Sequence, residues 1–203
     1  MLRAVLSILI VSVSSQQWDP TQFPNPLRGG AKQCNMRSQS RICDSEEVLS
    51  MEGRYRLNNE LGRISSRTEQ LGSAFCSRKG TDAVLIIVRQ GSKQLANDLN
   101  RLWFGNEQCK KNVVFLLSAD DRHLYFSAQP NVDFGVDELQ SIIDTNDKKL
   151  QSGDFVPVLT NIFKEVGKKT DIGAVSPPPD GSKGAISAIL SALCLLVTAL
   201  VAL

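Results

Sequence analysis

The distribution of apolar and polar positions along the chain predicts three strands. The strand segments are short and rich in β-branched and apolar residues, at residues 82–89, 112–119 and 122–128. The first is apolar almost throughout and is bounded by Gly80 and Gly91, which suits a central strand covered on both faces. The last two are separated by Asp120 and Asp121, which predict a tight hairpin turn.

Four further segments repeat apolar residues at helical spacing. The first begins after Ser50, a good N-cap, and is expected to fade near Gly72, with Leu57, Leu61, Ile64 and Leu71 on its apolar face. The others cover residues 93–104, 136–150 and 155–168, and the first of these carries Leu95, Leu99, Leu102 and Trp103 on one side. The order α-β-α-β-β-α-α predicts an α/β fold: a small mixed sheet with a β-α-β-β core covered by helices.

The segment before the first helix, residues 16–47, is expected to be an irregular N-terminal arm. Three prolines and the Gly29-Gly30 pair exclude a regular element across residues 20–30. The aromatic rings of Trp18 and Phe23 are expected to pin the arm to the surface of the domain, which covers residues 48–169.

Both ends of the chain are apolar and are predicted to be targeting segments rather than parts of the fold. Residues 1–15 place one Arg before an apolar run and small residues, the pattern of a secretory signal peptide. Residues 170–184 form a Pro/Gly-rich linker, and residues 185–203 are a hydrophobic tail without charge. As a helix this tail would span about 28 Å, close to the ~30 Å hydrocarbon core of a bilayer.

Two kinds of anchor fit this tail. Small residues followed by a terminal apolar run are typical of a glycosylphosphatidylinositol (GPI) signal, with Asp180, Gly181 and Ser182 as candidate attachment sites. The alternative is a single transmembrane helix. Either anchor predicts a domain held at the extracellular face of the plasma membrane.

Cysteine usage agrees with that compartment. Four of the five cysteines, Cys34, Cys43, Cys76 and Cys109, lie outside the tail and form an even set, so two disulfides are expected. Of the three possible connectivities we favour Cys34–Cys43 with Cys76–Cys109. The spacings lack the Cys-x₂-Cys knuckle typical of a zinc site.

Composition and motifs exclude several function classes. With 23 Lys and Arg against 21 Asp and Glu the net charge is +2, and no basic stripe carries interleaved aromatics, so nucleic acid is not an expected partner. No nucleophile elbow, phosphate loop, zinc-protease motif or dinucleotide fingerprint is present. The single histidine, His123, makes triad catalysis improbable. No catalytic residue and no cofactor are therefore predicted.

Acidic residues are the one chemical lead. Asp44, Asp120 and Asp121 are candidate ligands for a hard cation such as Ca²⁺, which prefers oxygen ligands. The alternative is that Asp44 caps a turn before the first helix and that the Asp120-Asp121 pair is turn chemistry.

The segments WDPTQFPNP, ICDSEEVLS and LWFGNEQCKKNVVFLLSADDRHLYFSA, together with Cys34 and Cys109, resemble the nematode modulators of levamisole receptors. These modulators look like extracellular relatives of the TPM domain, which has an α/β fold. The resemblance runs from about Trp18 to Lys169. It implies a TPM-like fold and an auxiliary protein that raises the agonist response of an acetylcholine-gated Cys-loop cation channel at the neuromuscular junction, without forming a pore. The partners it implies are the channel subunits and the membrane.

Two alternatives remain open at this point. Plant relatives of the TPM domain described as acid phosphatases would carry divalent metal near the positions of Asp44, Asp120 and Asp121, with Arg122 as a phosphate clamp. A structural cell-surface protein is the third possibility. For a channel modulator, Trp18, Phe23 and Arg122 are the candidate contact residues because aromatics and Arg are enriched at binding hot spots.

Overall fold

The computed structural model describes residues 18–168, in which helices cover both faces of a four-stranded sheet. The strands are β1 (Ile42–Cys43), β2 (Asp82–Val88), β3 (Asn112–Ser118) and β4 (His123–Ala128), in that spatial order. β1, β2 and β3 are parallel, and β4 runs antiparallel to β3. The predicted α/β fold, a small mixed sheet covered by helices and stapled by disulfides, is confirmed.

Five helices accompany the strands among these residues: α1 (Met51–Thr68), α2 (Phe75–Arg78), α3 (Lys93–Phe104), α4 (Val136–Leu150) and α5 (Phe155–Glu165). No helix of this part of the chain has the length and apolar character needed to cross a bilayer. The predicted signal peptide, linker, tail and anchor sites at Asp180, Gly181 and Ser182 lie outside the described residues.

The apolar runs form the two central strands. Every side chain from Ala83 to Val88 in β2 and from Val113 to Leu117 in β3 is fully buried, because helices cover the sheet on both faces. In β4, Leu124 and Phe126 are buried while His123 and Tyr125 are partly exposed. This strand therefore has one buried face and one more polar face.

β1 was not predicted, because the arm was expected to be irregular throughout. Ile42 and Cys43 pair with Leu85 and Ile86 of β2, and both side chains are fully buried. A strand of two residues is too short to show the period-two alternation by which strands are recognised in a sequence.

One face of the sheet is covered by α1, α4 and α5. Ser50 caps α1 as predicted, since its Oγ accepts a hydrogen bond from the backbone N–H of Gly53 at 3.1 Å. α1 ends at Thr68, earlier than expected, and Leu71 lies beyond the helix with its side chain fully exposed. α5 also ends early, at Glu165 rather than near residue 168.

The other face is covered by α3 and by the arm. The Phe23 ring lies between two indoles, with its centroid 5.0 Å from that of Trp18 and 6.3 Å from that of Trp103. The predicted pinning of the arm is thus present. Leu102, expected on the buried side of α3, is half-exposed.

Both favoured disulfides are formed. Cys34–Cys43 joins the arm to β1, and both of its cysteines are buried. Cys76–Cys109 joins α2 to the loop between α3 and β3. The arm and the α2 segment are therefore covalently attached to the sheet region.

Candidate functional site

The predicted acidic residues lie at one edge of the sheet, which we call the carboxyl edge. Because β1, β2 and β3 are parallel, their carboxyl ends meet there, and in α/β sheets ligands bind preferentially at such an edge. Asp44 follows β1, Arg89 follows β2, and Asp120 and Asp121 follow β3. The acidic residues that the sequence singled out therefore lie at the same edge of the sheet.

Asp44 is fully buried, and both oxygens of its carboxylate have protein partners. Its Oδ1 accepts a hydrogen bond from the backbone N–H of Val48 at 2.9 Å, and its Oδ2 accepts one from Leu49 at 2.9 Å. The Arg54 guanidinium, also buried, lies 3.2 Å from Oδ2 and donates to the Leu49 carbonyl at 2.7 Å. Asp44 therefore shapes the connection from β1 to α1, and its charge is balanced within the protein.

The hairpin carboxylates have separate partners. The Ser118 hydroxyl, which is buried at the end of β3, donates to Asp121, and Asp120 lies 4.0 Å from the Arg89 guanidinium. Within residues 18–168 no three His, Cys, Asp or Glu side chains are grouped so that they could hold a metal ion. Calcium binding by Asp44, Asp120 and Asp121 stays a prediction that a calorimetric titration would test.

Arg122 links the hairpin to the turn that follows α4. Its backbone has a φ of 52°, in the left-handed region, and its guanidinium donates to the Gln151 carbonyl after α4. The Gln151 side-chain amide donates back to the Arg122 carbonyl at 3.2 Å. Arg122 remains exposed, so it combines a held backbone with an accessible charged side chain.

The aromatic candidates differ from Arg122 in exposure. Phe23 is only 5% exposed, so its side chain offers little surface to a partner. Its ring fills the core between the arm and α3. Trp18 is partly exposed at the rim of the same cluster.

Sequence reasoning missed a second group of polar residues, at the opposite edge of the sheet, which we call the amino edge. Lys111 and Asp133 form a buried ion pair of 2.6 Å, and Asp133 also accepts a hydrogen bond from the Thr81 hydroxyl at 2.9 Å. The only sequence signal was a Lys directly before an apolar strand. The ion pair holds the loop after β4 against the start of β3, and the Thr81 hydrogen bond holds it against the start of β2.

Two shallow cavities lie at the amino edge, and Arg28 and Glu107 contribute to both. Their volumes are about 210 and 220 Å³. Small-molecule sites usually enclose about 300–1,000 Å³. The larger cavity also contains the Arg41–Asp82 ion pair, at 3.3 Å, so charged protein groups already satisfy one another there.

Comparison with solved structures identifies the fold. The N-terminal domain of a protein from P. gingivalis, solved by NMR, matches with a TM-score of 0.52 and 18% identity, covering 74% of this chain and 89% of that domain. The N-terminal domain of the cg2496 protein from Corynebacterium glutamicum matches with a TM-score of 0.45 and 10% identity, covering 64% and 78%. The BA42 protein from Bizionia argentinensis gives 0.48 and 12%, covering 61% and 82%.

Sequence comparison identifies the family. No curated protein matches the chain significantly. The family model described as "Modulator of levamisole receptor-1" matches residues 18–122, slightly more than half of the 203 residues. This span includes the arm, both disulfides, the central parallel strands and the hairpin through Arg122. The chain therefore belongs to the modulator of levamisole receptor-1 family.

Proposed function

We propose that this protein is an extracellular, membrane-anchored auxiliary protein that positively modulates an acetylcholine-gated Cys-loop cation channel of the levamisole-receptor type by direct contact. The observation that carries the proposal is the family match over residues 18–122. The proposed role is that of a binding module rather than an enzyme.

The two disulfides support the extracellular part of the proposal. Disulfides form and persist in oxidising compartments and are rare in the cytosol. Cys34–Cys43 closes a short loop and Cys76–Cys109 a longer one, and they hold two segments with few regular elements against the sheet. An apolar leader and an apolar tail in the sequence agree with export and anchoring.

A modulator of this kind acts by shifting the equilibrium between closed and open channel. It raises the agonist response only to the extent that it binds the open state more tightly than the closed state. By reciprocity, agonist then raises the affinity of the channel for the modulator by the same factor. A typical coupling of about 1–3 kcal/mol corresponds to a 5–150-fold change in affinity.

The hairpin is the part of the surface that we propose to contact the channel. Arg122 is exposed, and its backbone is held on both sides by Ser118 through Asp121 and by Gln151. A held loop loses little conformational freedom on binding, so more of the contact energy appears as affinity. Arg side chains are also enriched at binding hot spots.

The test is agonist-evoked current in cells that express levamisole-sensitive acetylcholine receptor subunits with and without this protein. We expect a larger current at sub-saturating agonist when the protein is present at the cell surface. Arg122→Ala is expected to reduce that increase. The control is Arg101→Ala, which removes from α3 another exposed Arg, whose side chain is 80% exposed and paired with Asp98.

Three results would count against the proposal or its details. An unchanged current with the protein confirmed at the surface contradicts modulation itself. Equal losses in the Arg122 and Arg101 variants contradict the assignment of the hairpin. Turnover of a generic phosphomonoester by the purified protein, lost in Asp120→Asn, would favour the phosphatase alternative instead.

A further inference from the structure

The segment after α1, residues 69–80, is a loop whose two ends meet at the end of that helix. The Thr68 hydroxyl accepts a hydrogen bond from the backbone N–H of Thr81 at 2.7 Å, and the N–H of Glu69 donates to the Ser65 carbonyl at 3.1 Å. Gly80 lies against the same turn, since a Cβ there would be 1.9 Å from the Ser65 carbonyl oxygen. Compact surface loops with closed ends of this length are Ω-loops, and they are frequently functional.

The loop exposes apolar side chains that the domain does not cover. Leu71 is fully exposed and Phe75 is 63% exposed, and α2, which lies within the loop, has no buried residue. Packing therefore contributes little to holding it. It is held by the Cys76–Cys109 disulfide and by a hydrogen bond of 3.1 Å from Gln70 to Asp133. A covalent bond that fixes exposed apolar residues suits a preformed contact element.

The chain leaves the described domain beside the neck of this loop. A Cβ on Gly167 would lie 2.5 Å from the Thr68 Cγ2, so the end of α5 touches the turn at which the loop opens. Arg67 reinforces the contact, because its guanidinium donates to the Phe163 carbonyl and, at 3.2 Å, to the Val166 carbonyl. Lys168, the last described residue, is therefore adjacent to the base of the exposed loop.

The sequence beyond this exit point leads to the apolar tail. After Lys168 the linker runs to residue 184, and the uncharged run of residues 185–203 follows. A chain of 16 residues, fully extended, reaches at most about 55 Å. The base of the loop is thus beside the point at which the described domain continues, in sequence, toward the apolar run.

We propose that the loop of residues 69–80 contacts the lipid bilayer, with Leu71 and Phe75 entering its interfacial region. The proposal rests on the anchoring part of the proposed function, because the tail must first tether the domain to a membrane. Tethering turns the second contact into an intramolecular one at high effective concentration, so two apolar side chains suffice. Among the charged residues of the loop, Lys79 is already paired with Asp82 at 3.3 Å and with Glu107 at 3.6 Å, so we expect recognition through apolar contact without a need for anionic lipid.

The membrane contact would orient the domain. The loop and the chain exit lie at the amino edge of the sheet, whereas the hairpin with Arg122 lies at the carboxyl edge. The seven residues of β2 between them span about 23 Å. With the loop in the lipid surface, the hairpin points away from the membrane, where the extracellular domain of a receptor would lie.

The test uses the full chain in phosphatidylcholine vesicles whose acyl chains carry bromine, which quenches tryptophan on contact. Leu71→Trp is compared with Met51→Trp and with the parent chain, whose own tryptophans are Trp18 and Trp103. Met51 is the matched control, because it is half-exposed and lies at the other end of α1, about 27 Å away. We expect a blue shift and loss of emission for the Leu71→Trp tryptophan only, to the same extent with added phosphatidylserine.

Flotation of the vesicles separates the two proposals. Protein that floats with the vesicles but shows no quenching of the Leu71→Trp tryptophan overturns the loop contact and leaves the anchor in place. Protein that does not float overturns the anchoring, and the loop contact with it. Emission that is unchanged by lipid but shifts when channel subunits are co-reconstituted overturns the lipid contact in favour of a protein contact.

Discussion

At the scale of single residues, the pair of Asp44 and Arg54 carries the connection between arm and helix. The carboxylate has no exposure and the guanidinium side chain 8%, so water screens neither charge. Asp44→Asn removes the negative charge and places an amide group toward backbone N–H donors that need an acceptor. Breaking a buried pair in this way is expected to cost about 3–5 kcal/mol in the free energy of unfolding. Denaturant unfolding with the disulfides intact measures it.

The matched control for that prediction is Asp98→Asn. Asp98 and Arg101 form an ion pair of 2.8 Å, but the Arg101 side chain is 80% exposed. Exposed pairs of this kind contribute about 0–1 kcal/mol, so this variant is expected to unfold at nearly the same denaturant concentration as the parent. Similar stabilities of the two variants would mean that Asp44 is not the structural centre of this connection.

These residues also show how far the sequence predicts a site. Asp44 stood out because an Asp a few residues before a capped helix is either a turn cap or a ligand, and the structure has it accepting two backbone N–H groups. Its partner Arg54 was not predicted, because it lies one helical turn into α1 among other charged residues. Burial likewise decides Phe23, whose residue type suits a core and an interface equally well.

At the scale of elements, two glycines of one region have opposite roles. Gly80 closes the neck of the exposed loop, where a Cβ would also lie 2.9 Å from the Thr68 hydroxyl oxygen. Gly62 lies inside α1, where a Cβ would have no neighbour within 4 Å. Gly80→Ala is expected to destabilise the protein by about 1–3 kcal/mol through the forced backbone shift. Gly62→Ala is expected to stabilise it by about 0.5–1 kcal/mol, because Ala loses less backbone entropy in a helix.

Thermal or denaturant unfolding of the two variants measures that difference in sign. Hydrogen exchange gives a second readout, since Gly80→Ala is expected to speed exchange in residues 69–80 more than in β2 and β3. A Gly80→Ala protein as stable as Gly62→Ala would contradict the close approach of the loop ends to α1.

The elements that the sequence predicted are those in which local preference and tertiary environment agree. β2 and β3 are continuous apolar runs, and α3 is capped by the Ser92 side chain at its start and by Gly105 at its end. β1 and the end of α1 were missed because tertiary contacts determine them. Leu71 continues the helical spacing of α1, but the chain turns at Glu69, whose extended backbone ends the helix.

At the scale of the whole molecule, disulfides and a buried ion pair hold the peripheral segments to the sheet. One disulfide holds the arm to β1 and the other holds the exposed loop, and the buried Lys111–Asp133 pair supports the same edge. Burial lowers the pKa of the Arg67 guanidinium, yet its ordinary value is so high that it keeps its charge at neutral pH. That positive charge at the end of α5 complements the helix dipole where the chain leaves the domain.

The dependence of modulation on the tail is a prediction for the molecule as a whole. If the tail anchors the protein as proposed, a form ending after residue 168 is released from the cell, and its local concentration at the channel falls from the millimolar range typical of short tethers to that of the medium. We expect such a form at nanomolar concentration to leave the agonist-evoked current unchanged, although it retains the hairpin. Current recordings with purified protein added to cells that express the channel subunits measure this effect.

The controls distinguish tethering from a specific contact of the tail. A chain in which an unrelated transmembrane helix replaces residues 185–203 is expected to retain modulation, because the linker and domain keep their reach. The released form is expected to regain activity when its concentration is raised several hundredfold, because the domain itself makes the contact. If the released form is fully active at nanomolar concentration, intrinsic affinity for the channel is high and the tether serves another purpose. If the unrelated helix abolishes modulation while surface expression is unchanged, the tail itself contacts the channel.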